Sequence, residues 1–310
     1  MAATPPDATV LVALSGGADS VALTAAVAFE AAKLGVRAVT LTVDHGLQEA
    51  SADAASEAAS VARALGLEAR VVRVEVSGEG GPEAAARDAR YGALTAEAGL
   101  VNAGTVLVGH TLDDQAETVL LGLARGSGAT SLQGMPAVSE LAPGVALVRP
   151  LLEVRRATTR AACAAEHLSF WDDPHNADAR FARVRVRERV LPVLEAELGP
   201  GIAAALARTA AQLREDAEAF EEMIDETIED IVEHAEAGIS VSAAALAANP
   251  AALRHRIIRH VVAAEFGVSL TRAQTLEVSR LVTHWSGQGP IDLPGCRARR
   301  LGGRLEFTAS

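Results

Sequence analysis

A chain of 310 residues, 49% of them hydrophobic, can bury a large core, and its net charge of -12 argues against indiscriminate nucleic-acid binding, which needs Lys and Arg against phosphate. No apolar run reaches the roughly 20 residues of a membrane-spanning helix, and the opening MAATPPDATV lacks the basic region of a signal peptide, so a cytoplasmic protein with no membrane partner is expected. Cys163 and Cys296 stand far apart and form no CxxC, which points to structural thiols rather than a zinc site or redox pair.

From residue 9 to about 150, the β-rich runs TVLVAL, RAVTLTV, ARVVRVEV, TVLVG and VALVRPLL alternate with longer Ala-rich helical stretches. Apolar strands joined by helical crossovers predict a doubly wound, parallel, five-stranded α/β sheet that binds ligands at the carboxyl ends of its strands. Directly after the first run stands Leu14-Ser15-Gly16-Gly17-Ala18-Asp19-Ser20, followed by a helix from Val21 to Leu34. Gly16 and Gly17 let backbone approach a phosphate, the helix N-terminus offers unpaired N–H groups, and Ser15 and Ser20 carry hydroxyl donors. Asp19 suits such a place only if a divalent cation separates it from the phosphate oxygens, which suggests magnesium. With no GxxxxGK[ST], this is not the loop of a γ-phosphoryl-transfer kinase.

The second run ends in Val43-Asp44-His45-Gly46-Leu47, and Ala86-Arg87-Asp88-Ala89-Arg90-Tyr91 sets two arginines one helical turn apart. Next comes Gly109-His110-Thr111-Leu112-Asp113-Asp114-Gln115-Ala116-Glu117-Thr118, continuing to Arg125-Gly126-Ser127-Gly128. Helical spacing puts Leu112, Ala116, Val119 and Leu123 on a packing face and stacks Asp113 with Glu117 on another. Like charges four apart cost a few tenths of a kcal/mol in an isolated helix, so a metal ion or an ammonium group is a reasonable partner for them. Gly122, inside the same helix, costs about 1 kcal/mol relative to Ala and suggests a close neighbour. The stretch Trp171–Pro192 holds Arg180, Arg183, Arg185, Arg187 and Arg189, the densest basic cluster of the chain, suited to RNA phosphates or to a triphosphate.

Leu198-Gly199-Pro200-Gly201 is a breaker cluster, so a first domain of residues 1–198 and a smaller, mainly helical domain of residues 201–310 are expected. The second domain opens with a helix of about 202–237 whose stripe is Ile202, Leu206, Leu213, Phe220, Ile224, Ile228 and Ile231. Eleven acids between Glu215 and Glu236 account for nearly all the net charge. Helices over Leu253–Phe266 and Thr271–His284 follow, then a β-like stretch from Ile291 to Phe307 that turns at Gly302-Gly303 and carries Arg297, Arg299, Arg300 and Arg304.

SGGADS resembles SGGxDS, the pyrophosphate loop of the ATP pyrophosphatase (PP-loop) family, which cleaves ATP between the α and β phosphates to activate an oxygen as an adenylate. VDHGL, ARDARY, GHTLDDQAET with RGSG, and WDDPHNADARFARVRVRERVLP are similar to motifs of that family's lysidine synthase branch, with His175 and Val184 in place of the usual Ser and Asn. The resemblance implies a carbon–nitrogen ligase using ATP, Mg2+, free L-lysine and an isoleucine tRNA with a CAU anticodon. Cytosine O2 would attack the α-phosphate, pyrophosphate would leave, and the lysine ε-amine would displace AMP at C2. It further implies ATP contacts from Ser15, Gly16, Gly17, Ala18, Asp19, Ser20, Asp44 and His45, and catalytic work by Asp19, Arg87, His110, Asp113, Asp114 and Glu117, with Asp19 and Asp113 on the metal. Contacts to tRNA fall to Arg180, Arg183, Arg185, Arg187, Arg297, Arg299 and Arg300, and a homodimer is compatible with all of this. Two alternatives stay open. A PP-loop tRNA thiolase would need well-placed cysteines, and a non-catalytic adenine-nucleotide module would give no reason for DDQAET beside the arginine cluster.

Overall fold

The computed structural model describes residues 8–46, 51–76, 82–126, 128–173, 178–235 and 238–310. They fall into two compact units, Met1–Leu213 and Arg214–Ser310. The first unit opens with β1 (Thr9–Ala13), α1 (Ala18–Leu34), β2 (Arg37–Asp44), α2 (Ser51–Ala64), β3 (Glu68–Arg73), α3 (Pro82–Val101), β4 (Ala103–Leu107) and α4 (Leu112–Ala124). It continues through α5 (Ala129–Leu132), the hairpin β5 (Val138–Ala142) and β6 (Val145–Val148), and α6 (Arg156–Ala165). A last helical segment runs through α7 (Ala182–Arg185), a π-helical turn (Val186–Val190) and α8 (Leu191–Glu197).

The sheet order is β3-β2-β1-β4-β6-β5. The first five of these strands are parallel, with Leu11 opposite Val39 on one side and Val106 on the other, while β5 runs antiparallel to β6. The parallel strands are those expected from the apolar runs; β5 is an addition. Its sequence, VSELA, lacks a continuous apolar run because an edge strand has one neighbour and an exposed flank. Apolar residues cover both faces of the sheet. Leu11, Val39, Leu41 and Val106 pack with Leu94, Ala98 and Val101 of α3, and a separate cluster joins Leu14, Ala18 and Val21 to Ala58, Ala62 and Cys163.

The thirty-residue helix α9 (Ile202–Ile231) starts directly beyond the breaker cluster, and the division between units falls within it. Its buried line is Ala203, Ala210, Ala217, Ile224 and Ile231, every seventh residue, flanked by the half-buried Leu213, Phe220 and Ile228 of the expected stripe. The helix ends at Ile231 because the chain enters β7 (Val232–Ala235) there, not at residue 237. Beyond lie β8 (Gly238–Ser242), α10 (Ala243–Ala248), α11 (Ala251–Phe266), α12 (Arg272–Thr283), β9 (Ile291–Leu293), β10 (Cys296–Leu301) and β11 (Arg304–Ala309). The closing hairpin turns at Gly302-Gly303 as expected and belongs to a five-stranded sheet, β7-β8-β11-β10-β9, so the helices that make up most of this unit pack with a sheet the β-like stretch only hinted at. Phe307, Leu305, Ile257, Ile258, Leu246 and Leu281 fill its core.

Candidate active site

Strand order reverses between β1 and β4, and at such a switch the loops leaving the two carboxyl ends diverge and open a crevice. The loop after β1 is Leu14–Gly17, with Gly16 in the left-handed region at φ +87°. Gly17 caps α1 in extended conformation and supplies no side-chain hydrogen bond, so the N–H groups of the first turn face outward uncapped. Ser20 Oγ donates to the Gly17 carbonyl at 2.9 Å, and Ser15 Oγ donates to Ser20 Oγ at 3.1 Å, which ties both hydroxyls to the loop. The Gly16 carbonyl accepts from the Trp171 N–H at 2.8 Å.

The loop after β4 meets this one directly. A side chain on Gly109 would come within 3.1 Å of the Asp19 carbonyl and the Ser20 nitrogen, so glycine lets β4 deliver His110 and α4 close to the head of α1. In contrast to α1, α4 is closed by a capping box: Thr111 N–H and Oγ1 both donate to Asp114 Oδ2 at 2.8 Å. One anion seat therefore stands at α1 and none at α4.

Arg156, the first residue of α6, ties the acids together. Its backbone N–H donates to Asp113 Oδ2 at 2.8 Å; its guanidinium lies 2.8 Å from Asp114 Oδ1, 3.3 Å from Glu117 Oε1 and 3.5 Å from Asp19 Oδ2. Glu117 is fully buried and is also gripped by Arg187, at 2.7 Å to Oε1 and 3.0 Å to Oε2, with Arg183 at 3.8 Å. The expected face is thus corrected. Glu117 shares its arginines with Asp114, three residues away, while Asp113 turns to the start of α6; Leu123, expected in the packing face, is exposed. Gln115 closes a two-bond clamp on Met135, accepting from its N–H at 2.6 Å and donating to its carbonyl at 2.7 Å. Gly122 has the anticipated neighbour, since a Cβ there would stand 2.6 Å from the Ser131 carbonyl of α5.

The same side chain behaves differently at its two positions in this crevice. Burial pushes the Asp19 carboxyl above its ordinary range, outweighing the Thr159 hydroxyl, which donates to Oδ1, and the charge of Arg156. Burial also pushes Asp114 upward, but Arg156 and the two Thr111 donors overcome it and hold Asp114 below that range. Among the described residues no three His, Cys, Asp or Glu converge on a common point. Of the expected Asp19–Asp113 pair, Asp113 accepts the Arg156 N–H at 2.8 Å and has Arg155 at 3.8 Å. A single undercompensated carboxylate beside an open phosphate seat fits magnesium that takes its remaining ligands from nucleotide and water.

The other rim of the crevice is positive. Asp44, at the end of β2, accepts from the Ser51 hydroxyl and the Gly46 N–H, and these bonds hold its pKa low. Burial, followed by Arg90, pushes His45 down, and burial pushes His110 down to about 4 despite the opposing charge of Asp114. Both rings keep a buried Nδ1 with no hydrogen-bond partner. Arg90 lies between these rings and Arg183 in charge terms; burial and then Arg87 and Arg183 lower its pKa. Arg87 and Arg90 flank the Tyr91 ring at 5.1 and 5.5 Å, and neither makes an ion pair among the described residues.

The two segments offered for tRNA hold their arginines in different ways. Arg183 and Arg187 reach Glu117, because the π-helical turn between α7 and α8 packs on α4. Arg185 donates to the carbonyls of Ala179 and Arg180, and Arg180 pairs with Asp178 at 2.7 Å. Val184 is buried, so apolar packing replaces any bond an Asn would make there; Leu47, Ser127 and His175 lie outside the described residues. On β10, Arg297 pairs with Asp292 and Arg299 with Glu306, while Arg300 donates to the carbonyls of Leu281 and Val282 and caps the end of α12.

Residues 2–194 match the family model described as a PP-loop domain, and residues 242–306 match one described as a TilS substrate binding domain. The tRNA(Ile)-lysidine synthase of Leifsonia xyli subsp. xyli is 57% identical to this chain across 97% of it and 90% of the relative. The chain belongs to the tRNA(Ile)-lysidine synthase family. The synthase of Streptomyces coelicolor is 52% identical over 96% of this chain and 84% of its own length. A solved U34-tRNA thiolase, NcsA from Methanococcus maripaludis, aligns with a TM-score of 0.59 at 18% identity, covering 69% of this chain and 74% of its own, which supports the PP-loop fold. Motif reading did not single out Arg156 and Thr159, which contact Asp19, Asp114 and Glu117 in the crevice. The available signal was Arg155-Arg156 at the head of an Ala-rich helix, where the dipole disfavours cations unless acids compensate.

Proposed function

We propose that this chain makes lysidine, adenylating O2 of the wobble cytidine in an isoleucine tRNA with a CAU anticodon and then joining free L-lysine at C2, with release of AMP and pyrophosphate. The observation that carries this reading is the uncapped SGGADS loop at the β1/β4 crevice, in a chain of near full-length similarity to synthases of that name. The N–H groups of the α1 head would receive the phosphates, with the helix dipole favouring their charge. Asp19 would hold magnesium. When bound, magnesium neutralises charge on the departing pyrophosphate.

The chain's own groups then divide the work. Asp114 and Glu117 fix Arg156 and Arg187 at the crevice wall, so in this reading the acids act through arginines that face the polyphosphate. Arg90 has no anionic partner among the described residues, which suits it to the carboxylate of lysine or to a phosphate. His110, with a pKa of about 4, is too weak a base to take a proton from an ammonium group; its neutral ring and open Nδ1 suit a hydrogen bond to substrate, as does His45. Incubation with the cognate tRNA, ATP and lysine, followed by nucleoside mass spectrometry, should show lysidine appearing with AMP and pyrophosphate. Unmodified cytidine, or ADP as the main nucleotide product, overturns the reading.

A further inference from the structure

Two groups of arginines in the second unit contrast. On the sheet, Arg297, Arg299 and Arg304 each carry a carboxylate partner, at 2.7, 2.8 and 3.0 Å. On the helices, Arg256 and Arg259 of α11 and Arg272 of α12 make no ion pair among the described residues, although α9 in the same unit is densely acidic and Arg256 lies over its Phe220 ring at 4.3 Å.

These cations are neighbours. On α11, His255 and Arg256 stand four and three residues before Arg259, one turn of helix. The start of α12 adds Arg272, whose charge is felt at both His255 and Arg259. After burial, every charge acting on His255 is an arginine (Arg254, Arg259, Arg272), and the same holds for Arg259 (Arg256, Arg272); all of them push the pKa down. Arg254 is spoken for by Ser279 Oγ and the Asn249 carbonyl, but the others are not. Placement makes this stranger. Neither α11 nor α12 has an acid in its first turn, and Arg272 opens α12, where the dipole repels a cation. Among the described residues no carboxylate pairs with these arginines, so the natural complement of this crowding of like charge is an external polyanion.

We infer that the α11–α12 face bearing His255, Arg256, Arg259 and Arg272 is a phosphate-backbone contact for the tRNA substrate, and that the β10 arginines are not. The inference rests on the functional reading above, which supplies an RNA as the partner. The β10 arginines must give up carboxylates before meeting a phosphate, and Arg300 is held by α12, whereas the α11–α12 arginines have no carboxylate to give up among the described residues.

The test compares full-length Arg259→Gln/Arg272→Gln, the single Arg272→Gln and Arg297→Gln/Arg299→Gln with the parent chain, titrating labelled cognate tRNA at several salt concentrations. The α11–α12 double variant should bind roughly tenfold more weakly at physiological salt, and the slope of log K against log salt should fall by about one for each arginine removed. Arg272→Gln should lower affinity while leaving the melting temperature unchanged or raised, since a cation leaves a helix N-terminus; this separates lost contact from lost fold. Parent-like affinity and slope in the α11–α12 variants, or a loss carried by the β10 pair alone, overturns the surface while leaving the enzyme reading intact. A parent chain that binds and modifies no tRNA overturns the enzyme reading and the surface together. Loss of binding to an acidic protein with tRNA binding untouched also overturns the inference.

Discussion

Asp19 and Asp114 hold identical carboxyl groups, and the fold pushes one up and the other down, because Asp19 has a single hydroxyl and a distant guanidinium where Asp114 has a close guanidinium and two Thr111 donors. A raised carboxyl contributes stability fully below its ordinary pKa and loses it as pH rises through the folded value, so at neutral pH the charge on Asp19 opposes folding. Asp19→Asn should therefore melt no lower than the parent at pH 7, while pyrophosphate release falls on the order of a hundredfold or more. Calorimetry beside a pyrophosphate assay checks both halves. His110 has the opposite linkage. Its pKa falls from 6.5 to about 4 on folding, so the unfolded chain binds the extra proton and stability drops as pH is lowered from 6.5 toward 4. His110→Gln should flatten that limb, gaining on the parent by on the order of 2 kcal/mol at the acid end in urea titrations.

At the scale of one helix, α4 spends every polar residue of DDQAET on a neighbour. Asp113 receives the first N–H of α6, Asp114 caps α4 and binds Arg156, Gln115 clamps Met135, Glu117 gathers three arginines, and Thr118 accepts from Arg183 at 3.0 Å. Removing one partner of so buried a set leaves uncompensated charge. Arg156→Gln should cost about 3–5 kcal/mol, and adding Glu117→Gln should recover part of it, a coupling that a double-mutant cycle measures directly. Gly122 poses a contest on the same helix. Propensity favours Ala by about 1 kcal/mol, but a Cβ 2.6 Å from the Ser131 carbonyl must drive α5 away, so Gly122→Ala should lower the melting temperature despite the better helix former.

For the whole molecule, the unit boundary matters because α9 serves the first unit before it enters the second. Ile202, Ala203 and Leu206 pack with Ala116 of α4 and with Leu191, beneath the acids of the crevice. A chain ending at Gly199 strips that support, whereas one ending at Leu213 keeps it. The longer form should unfold cooperatively and bind ATP, and the shorter should melt earlier and bind ATP more weakly; equal melting curves would return α9 wholly to the second unit. Charge is likewise segregated in the second unit: the acidic stretch is largely the outward side of α9, and Arg256, Arg259 and Arg272, without ion pairs among the described residues, lie on α11 and α12.

Much of this was legible in sequence because it depends on local periodicity and on chemistry carried by adjacent residues. Continuous apolar runs fixed the parallel strands, since both faces of such a strand are covered, and glycines with hydroxyls between strand and helix marked the phosphate loop. Gly302-Gly303 marked the closing turn for the same local reason. Three things waited for the tertiary structure: β5, whose exposed edge leaves no apolar run; the partition of arginines into paired and unpaired; and the meeting of Asp19, Asp114 and Glu117 on Arg156, which spans more than a hundred residues. Spacing along one helix tells which side chains share a face but not what another element brings against it, so the Asp113–Glu117 stack expected from periodicity gave way to an Asp114–Glu117 pair chosen by α6 and by the turn before α8.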